Sequence, residues 1–587
     1  MPSAAECFSI SYPHPLEPGG HVGFNKRFTG VAVITAALTV TAAGLSAPAS
    51  AEAVANTEYT VVAADNVSTT DAAAAIAKAG GKVVATNDTV GMFTVLAPQS
   101  GFVEKAAASS KLVGAAHRTA IGKAPKKEQP AKVEKEAQAA AAAAKKPGGK
   151  KPATAGMDPL DDKLWGLTTV RSDKARKVNA GDKRVTVGIL DTGVDASQPD
   201  IAPNFNWALS KNFAPDKVDI DGPCEVASCL DPVGTDDGGH GTHVAGTIGA
   251  AANGFGISGV APNVSLVELK GGQDSGYFFL EPVVNALVHA GQTGIDVVNM
   301  SFYVDPWLFN CTANPADSAA AQAEQRTIIR GMFRALTYAH FKGVTLVGAL
   351  GNNHEDKGKP RTDISSPDYP ADSAYDRPID NSSCWDLPVE GPFVIGVSSL
   401  GPSLKKSDFS DYGLERIGVS APGGWFRDGF GTDTYRTNEN MILSTYPKKV
   451  LQEEGTVDAD GNVLPEAEGL VYKECTAAGK CGYYTWLQGT SMASPHAAGV
   501  AALIVSSHGT KQGKGFGLEP WKVEYILYST AAEHACPTPA LQTYTNEGRP
   551  EEFNALCEGG TQFNGFYGFG IVDAYAAVTT RTWWEHR

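Results

Sequence analysis

Five short, largely apolar runs recur between residues 185 and 400: VTVGIL at 185–190, SLVELK at 265–270, DVVNMSF at 296–302, VTLVGA at 344–349 and PFVIGVSSL at 392–400. Runs of this length that do not alternate with polar residues predict strands buried on both faces. Between them, FFLEPVVNALVHAG (278–291) and AAAQAEQRTIIRGMFRALTYAHF (319–341) carry apolar residues at helical spacing. Strands alternating with helices predict an α/β domain over 157–587, three layers deep, with a mostly parallel central sheet and helices on both faces. In such a sheet chemistry belongs at strand ends and helix starts.

The N-terminal pattern differs. TVVAA, KVVATN and MFTVLA read as strands, while TDAAAAIAKAG and FVEKAAASS read as helices. The resulting β-α-β-β-α-β order over 52–121 predicts a small α+β, ferredoxin-like unit. From 122 to 156 the composition collapses to Ala, Lys, Pro and Gly, which buries little apolar surface and reads as a protease-sensitive linker. Before all of this, Lys26 and Arg27 precede the apolar stretch FTGVAVITAALTVTAAGL and the small-x-small triplet Ala49-Ser50-Ala51. That pattern predicts a signal peptide over 1–51, cleavage near Ala51 and export; the polar preamble fits translation starting at Val22.

Composition narrows the class. A net charge of -15 argues against a nucleic-acid partner, and no later segment is long and apolar enough to span a membrane, so a soluble product is expected, extracellular by its signal and read as a monomer. After the signal eight cysteines remain, an even number that suits disulfides in an exported chain. Proximity pairs 224 with 229, 475 with 481 and 536 with 557, leaving 311 with 384, although the sequence by itself does not settle connectivity.

Three motifs carry the candidate chemistry. DTGVDASQPD places Asp191 just after the VTVGIL strand, DDGGHGTHVAGTIGA places His240 before a run of small residues, and GTSMASPHAAGVAAL (489–503) places Ser491 near a helix start. The last is read as a helix from Ala493, with Pro495 in its first turn and Ser491 in a cap-like position. A serine hydroxyl needs a base to accept its proton during attack, an imidazole titrates near neutrality, and a carboxylate can fix the imidazole tautomer. Asp, His and Ser in that order form one of the known triad arrangements on an α/β fold. His243 is the runner-up base, disfavoured by its place inside the helix.

DTG at 191–193, HGTHVAG at 240–246 and GTSMASPH at 489–496 together resemble the three signatures of the subtilisin-like serine proteases, and the resemblance covers essentially all of 157–587. It implies a secreted serine endopeptidase acting on polypeptides, with Asp191, His240 and Ser491 as triad. It also implies that the 52–121 unit is a propeptide acting as an intramolecular inhibitor and removed by autoproteolysis between about Ala116 and Met157. Asn352, after Gly351 in VTLVGALGNN, stands where the family carries its oxyanion-hole asparagine; Asn353 is the neighbouring alternative. The substrate strand, commonly Ser-Leu-Gly-Gly, is here Ser301-Phe302-Tyr303-Val304, so Tyr303 must crowd the neighbouring pocket. Asp368 in SSPDYPA takes the floor position of the primary pocket and implies a taste for Lys or Arg before the scissile bond.

The family also implies a structural calcium ion, held by Asp200, Asn253, the carbonyls of Ala251, Phe255 and Ile257, and Asp161. Relative to compact members, extra material lies at about 305–330, 371–391 and 425–485. Those insertions keep open a specialised processing protease or a short-peptide-releasing aminopeptidase of the same fold. A non-catalytic binding or scaffold protein is the alternative from another class, and the intact Asp191, His240, Ser491 and Asn352 argue against it.

Overall fold

The computed structural model describes residues 56–118, 131–136, 138, 158–369, 373–512 and 515–582. The signal-peptide reading and most of the linker lie outside them. Seven parallel strands form the central sheet: β5 (Thr186–Asp191), β6 (Lys211–Asn212), β7 (Ser265–Lys270), β8 (Val297–Met300), β9 (Thr345–Ala349), β10 (Val394–Leu400) and β11 (Val419–Pro422). Their spatial order is β11-β10-β9-β8-β5-β7-β6.

Neighbouring residues on one strand feed opposite cores, which is why these strands read as continuous apolar runs. Ile189, Val297 and Val347 pack with α4 (His240–Gly249) and α7 (Thr490–His508). Leu190, Val298 and Leu346 pack on the other face with α5 (Leu280–Thr293) and α6 (Ala319–Phe341). Helix α7 is buried at every position from Thr490 to Val505, so no polar stripe marks it in the sequence.

The helix boundary at the third motif differs from the sequence reading. Helix α7 begins at Thr490, so Ser491 lies inside its first turn and Pro495 falls in the second. Pro495 has no N–H to give to the carbonyl of Ser491. That carbonyl instead accepts a hydrogen bond from the Ser301 hydroxyl at 3.2 Å.

The N-terminal unit folds as β1 (Asn56–Ala63), α1 (Thr69–Ala79), β2 (Lys82–Asn87), β3 (Met92–Pro98), α2 (Phe102–Ala107) and β4 (Leu112–His117). Its antiparallel sheet has the order β2-β3-β1-β4. Val62, Met92 and Ala116 pack in one core with α5 and α6, and polar ties surround that contact. Thr94 donates to Glu281 at 2.7 Å, Arg118 pairs with Glu281 at 3.1 Å, and Arg334 pairs with Asp65 at 2.7 Å.

Among the described residues four disulfides close the pattern: Cys224–Cys229, Cys311–Cys384, Cys475–Cys481 and Cys536–Cys557. Cys311–Cys384 ties together two of the insertions, and Cys475–Cys481 joins two strands of a separate three-stranded antiparallel sheet. A short helix, α3 (Ala131–Glu134), belongs to the region read as linker.

Candidate active site

Asp191 ends β5, fully buried, and its Oδ1 lies 2.7 Å from His240 Nδ1 while accepting the Thr192 N–H at 2.8 Å. His240 opens α4. The loop before it is held by Asp236, whose carboxylate accepts the N–H groups of Gly239 and Thr242 at 2.8 and 2.9 Å and the Thr192 hydroxyl at 2.9 Å. Nothing in the motif pattern singles out Asp236, although DDGGHG contains it.

His243, one turn on, is buried with Nε2 at 3.1 Å from the Ile442 carbonyl, and burial pushes its imidazole down to about 3. That environment suits a neutral structural histidine. His240 differs. Burial pulls its imidazole down, but the carboxylates of Asp191 and Glu134 outweigh burial and hold it well above its ordinary value.

Glu134 is the residue that sequence reasoning missed. Its Oε1 stands 3.5 Å from His240 Nε2, on the ring nitrogen that a triad turns toward its nucleophile. Ser491 Oγ meanwhile donates to the Ser301 carbonyl at 3.2 Å. Gln488, three residues before Ser491, donates its backbone N–H to the Glu134 carbonyl at 3.2 Å and its side-chain amide to the Val133 carbonyl at 2.8 Å. A segment of the apparent linker thus lies against the strand end beside Ser491. The only sequence signal was the charged run Glu134-Lys135-Glu136 beside an alanine tract.

Asn352 turns its carbonyl oxygen onto Thr490, accepting the backbone N–H at 2.9 Å and the hydroxyl at 2.8 Å. Its Nδ2, on the side facing Gly489, has no hydrogen-bond partner among the described residues. The first turn of a helix leaves its N–H groups without helical partners, so the Ser491 N–H is a second donor in the same place. Gly351 sits at φ +120, where a Cβ would run into the Asp411 carboxylate, and its N–H donates to Thr490 Oγ1 at 3.1 Å. Asn353 instead gives its backbone N–H to Asp411 at 2.9 Å.

On the substrate-strand side, Ser301 Oγ is bound to Asn299 and Ser494 at 2.8 Å each, and Phe302 stacks on Phe278 with ring centroids 4.0 Å apart. Tyr303 donates its hydroxyl to Asp368 at 2.6 Å, so these two candidates meet. Burial raises the Asp368 carboxyl, and the Asp305 carboxyl beside it is raised further by burial and by Asp368. Two carboxyls in such contact share a proton and offer one negative charge between them.

The loop read as a cation site does converge. Asp200 accepts the Ile257 N–H at 2.9 Å, the Tyr484 hydroxyl at 2.8 Å and the Asn253 amide at 3.1 Å, while its own carbonyl takes the Ala251 N–H. Asp161 does not join that set, because its carboxylate faces Arg176 and the Ser258 N–H. Asp158, overlooked in the sequence, accepts the Gly254 N–H at 2.5 Å. Asp158 and Asp161 therefore share the field of one arginine, Arg176, while buried Asp200 lies close enough to Asp158 to feel its charge. Burial raises Asp158 and pushes Asp200 up to about 7, and like charge adds to both. This surplus of buried negative charge fits a divalent cation, although proton donors rather than further oxygens face Asp200 in this arrangement.

A parallel sheet with Asp191 at a strand end and His240 and Ser491 in the first turns of two buried helices defines the class, and comparison with known proteins agrees. The model of the subtilase family, Peptidase_S8, matches residues 182–570, and the chain belongs to that family of serine-type peptidases. It is 29% identical to Subtilisin DY of Bacillus licheniformis over 346 residues, covering 59% of this chain and 85% of that protein. It is 30% identical to the major intracellular serine protease of Bacillus subtilis strain 168 over 344 residues, covering 58% and 74%. In fold it is similar to an epidermin leader peptide processing serine protease from Staphylococcus aureus, with a TM-score of 0.58 and 20% identity over 90% of this chain and 100% of that one.

Proposed function

We propose that this chain is a secreted serine endopeptidase made as a preproenzyme, with Asp191, His240 and Ser491 as its triad. The observation that carries the reading is the Asp191–His240 contact of 2.7 Å beside a cleft in which the chain's own residues 133–136 lie. With Glu134 withdrawn, Ser491 Oγ attacks a peptide carbonyl as its proton passes to His240 Nε2, and Asp191 holds the Nδ1–H and the imidazolium charge. Asn352 Nδ2 and the Ser491 N–H receive the developing oxyanion. Collapse of that intermediate passes the proton from His240 to the leaving amine, and water then hydrolyses the acyl-enzyme by the same route.

Residues 52–121 act in this reading as the inhibitory propeptide, and the processing site lies between about Ala116 and Met157. The leader pattern of 1–51 and the four disulfides support export, since disulfides persist in oxidising surroundings. No helix among the described residues is long and apolar enough to cross a membrane. Labelling of the purified enzyme by a fluorophosphonate probe, with cleavage inside a protein substrate, tests the reading; release of N-terminal fragments alone would replace it with an aminopeptidase. A specialised processing protease, the role printed for the Staphylococcus aureus relative, gains support from Arg427, in the 425–485 insertion, and Arg549, two arginines that reach the segment in the cleft.

Asp368 is proposed to favour Lys or Arg before the scissile bond, moderated by the hydroxyl of Tyr303 and the proton shared with Asp305. Reporter peptides with Lys, Phe or Leu at that position read this directly: Lys is expected to be fastest, and a rate on Lys no higher than on Leu removes the basic pocket.

Calcium is proposed to sit at the Asp200 loop, held by Asp200, Asn253 and the carbonyls of Ala251, Phe255 and Ile257, with Asp158 as the nearby second carboxylate. A bound divalent ion there supplies positive charge and ties the loop to the chain near Asp158. Chelator is expected to lower the unfolding temperature by about 5 °C or more. Asp200→Asn should abolish that sensitivity, and an unchanged unfolding temperature in chelator would remove the ion from the account.

A further inference from the structure

Glu136 is the most heavily engaged side chain of the segment in the cleft. Its Oε1 takes the Nε–H of Arg427 at 2.5 Å, and its Oε2 takes Arg549 Nη2 at 2.9 Å and the Gln488 amide at 3.1 Å. All three donors are held by other groups. Arg427 Nη1 donates to the Glu547 carbonyl at 2.8 Å, Arg549 Nε pairs with Asp408 at 2.6 Å, and Arg549 lies over the Phe553 ring. The Gln488 side-chain oxygen accepts the Phe426 N–H at 2.6 Å, which fixes its NH2 toward Glu136. Glu136 is the carboxylate that Arg427 pairs with here, while Arg549 also keeps Asp408, so departure of Glu136 takes away the carboxylate partner of Arg427 among the described residues.

We propose that Arg427, Arg549 and Gln488 form a substrate subsite selective for an acidic side chain, which Glu136 fills in the precursor. The inference rests on the protease reading above and names the substrate class of that same cleft. The position is set by Gln488, which binds the backbone at Val133 and Glu134 and the side chain of Glu136 while standing three residues before Ser491. A peptide reaching Ser491 therefore passes this site within a few residues of its scissile bond. The side chains of Glu136, Arg427 and Arg549 are 14%, 16% and 17% exposed, so the contact is largely shielded from water and salt. Charge-assisted, partly desolvated hydrogen bonds of this kind discriminate strongly between a carboxylate and its neutral isostere. Both arginines lie outside the motifs that carry the chemistry.

The test uses mature enzyme and internally quenched peptides that differ only in Glu, Gln or Lys, with the substitution scanned along both sides of one scissile bond. At one position kcat/KM is expected to be about tenfold or more higher for Glu than for Gln, with Lys lowest. Arg427→Glu should invert the Glu-to-Lys ratio at that position, and Arg427→Lys should reduce the Glu-to-Gln ratio. Fluorophosphonate labelling and the unfolding temperature of each variant verify its fold. Enzyme that labels and cleaves yet shows no position with Glu above Gln overturns the subsite and leaves the protease reading standing. The same holds if the preference exists and both Arg427 variants keep it. Enzyme that neither labels nor cleaves overturns both.

Discussion

Ser491→Ala is expected to accumulate as an uncleaved precursor that no fluorophosphonate labels, with peptide hydrolysis reduced by roughly 10⁶ in kcat, the scale that subtilisin itself shows on loss of its nucleophile. The substitution removes one oxygen at a fully packed helix start whose hydroxyl donates only to the Ser301 carbonyl, so folding should survive. Processing or labelling unchanged from wild type would refute the assignment of the nucleophile.

The same precursor permits a pH measurement. In the docked state His240 is raised well above its ordinary value by Asp191 and Glu134 against the pull of burial. A group whose pKa is raised by docking contributes binding that is complete below its undocked pKa and is lost as pH rises through the docked value. Amide-exchange protection of residues 133–136 in Ser491→Ala should therefore fall with rising pH across the His240 titration. Glu134→Gln should flatten the profile, because only Glu134 among the docked groups changes its charge pairing with His240. Protection independent of pH in the Glu134 form would show that His240 does not hold the segment.

Asn352→Ala is the second large effect, expected to cost about 10²–10³ in kcat, as loss of the corresponding donor does in subtilisin, with KM changed by less than about threefold. The Asn352 oxygen is bound to Thr490, with no hydrogen-bond partner for Nδ2 among the described residues; in the proposed mechanism that nitrogen meets charge that exists only as the tetrahedral intermediate forms. A loss carried by KM instead, or one under tenfold, would assign Asn352 to holding Thr490 rather than to the oxyanion.

Local chemistry and local period were legible in the chain. The five apolar runs became β5, β7, β8, β9 and β10, the 319–341 helix kept its bounds, and three cysteine pairs formed as proximity suggested, with Cys311–Cys384 as the pair left over. Helix α7 was legible only from Ala493, because a buried helix without a polar stripe has no amphipathic edge to mark its start, and Pro495 drew the boundary inward. The acidic set around Asp200 was read with Asp161 in place of Asp158, since only the fold turns Asp161 onto Arg176.

By itself the sequence determined the family, because Asp191, His240 and Ser491 each sit in a long motif whose neighbours are dictated by backbone geometry. Only the tertiary structure decided what occupies the cleft. Glu134, Glu136, Arg427, Gln488 and Arg549 lie in four stretches separated by up to 413 residues, and their pairing follows from charges brought together by folding rather than from any local pattern. A low-complexity linker carries no hydrophobic period to announce a docked segment. Its meaning came from the arginines and the histidine waiting on the other side of the cleft.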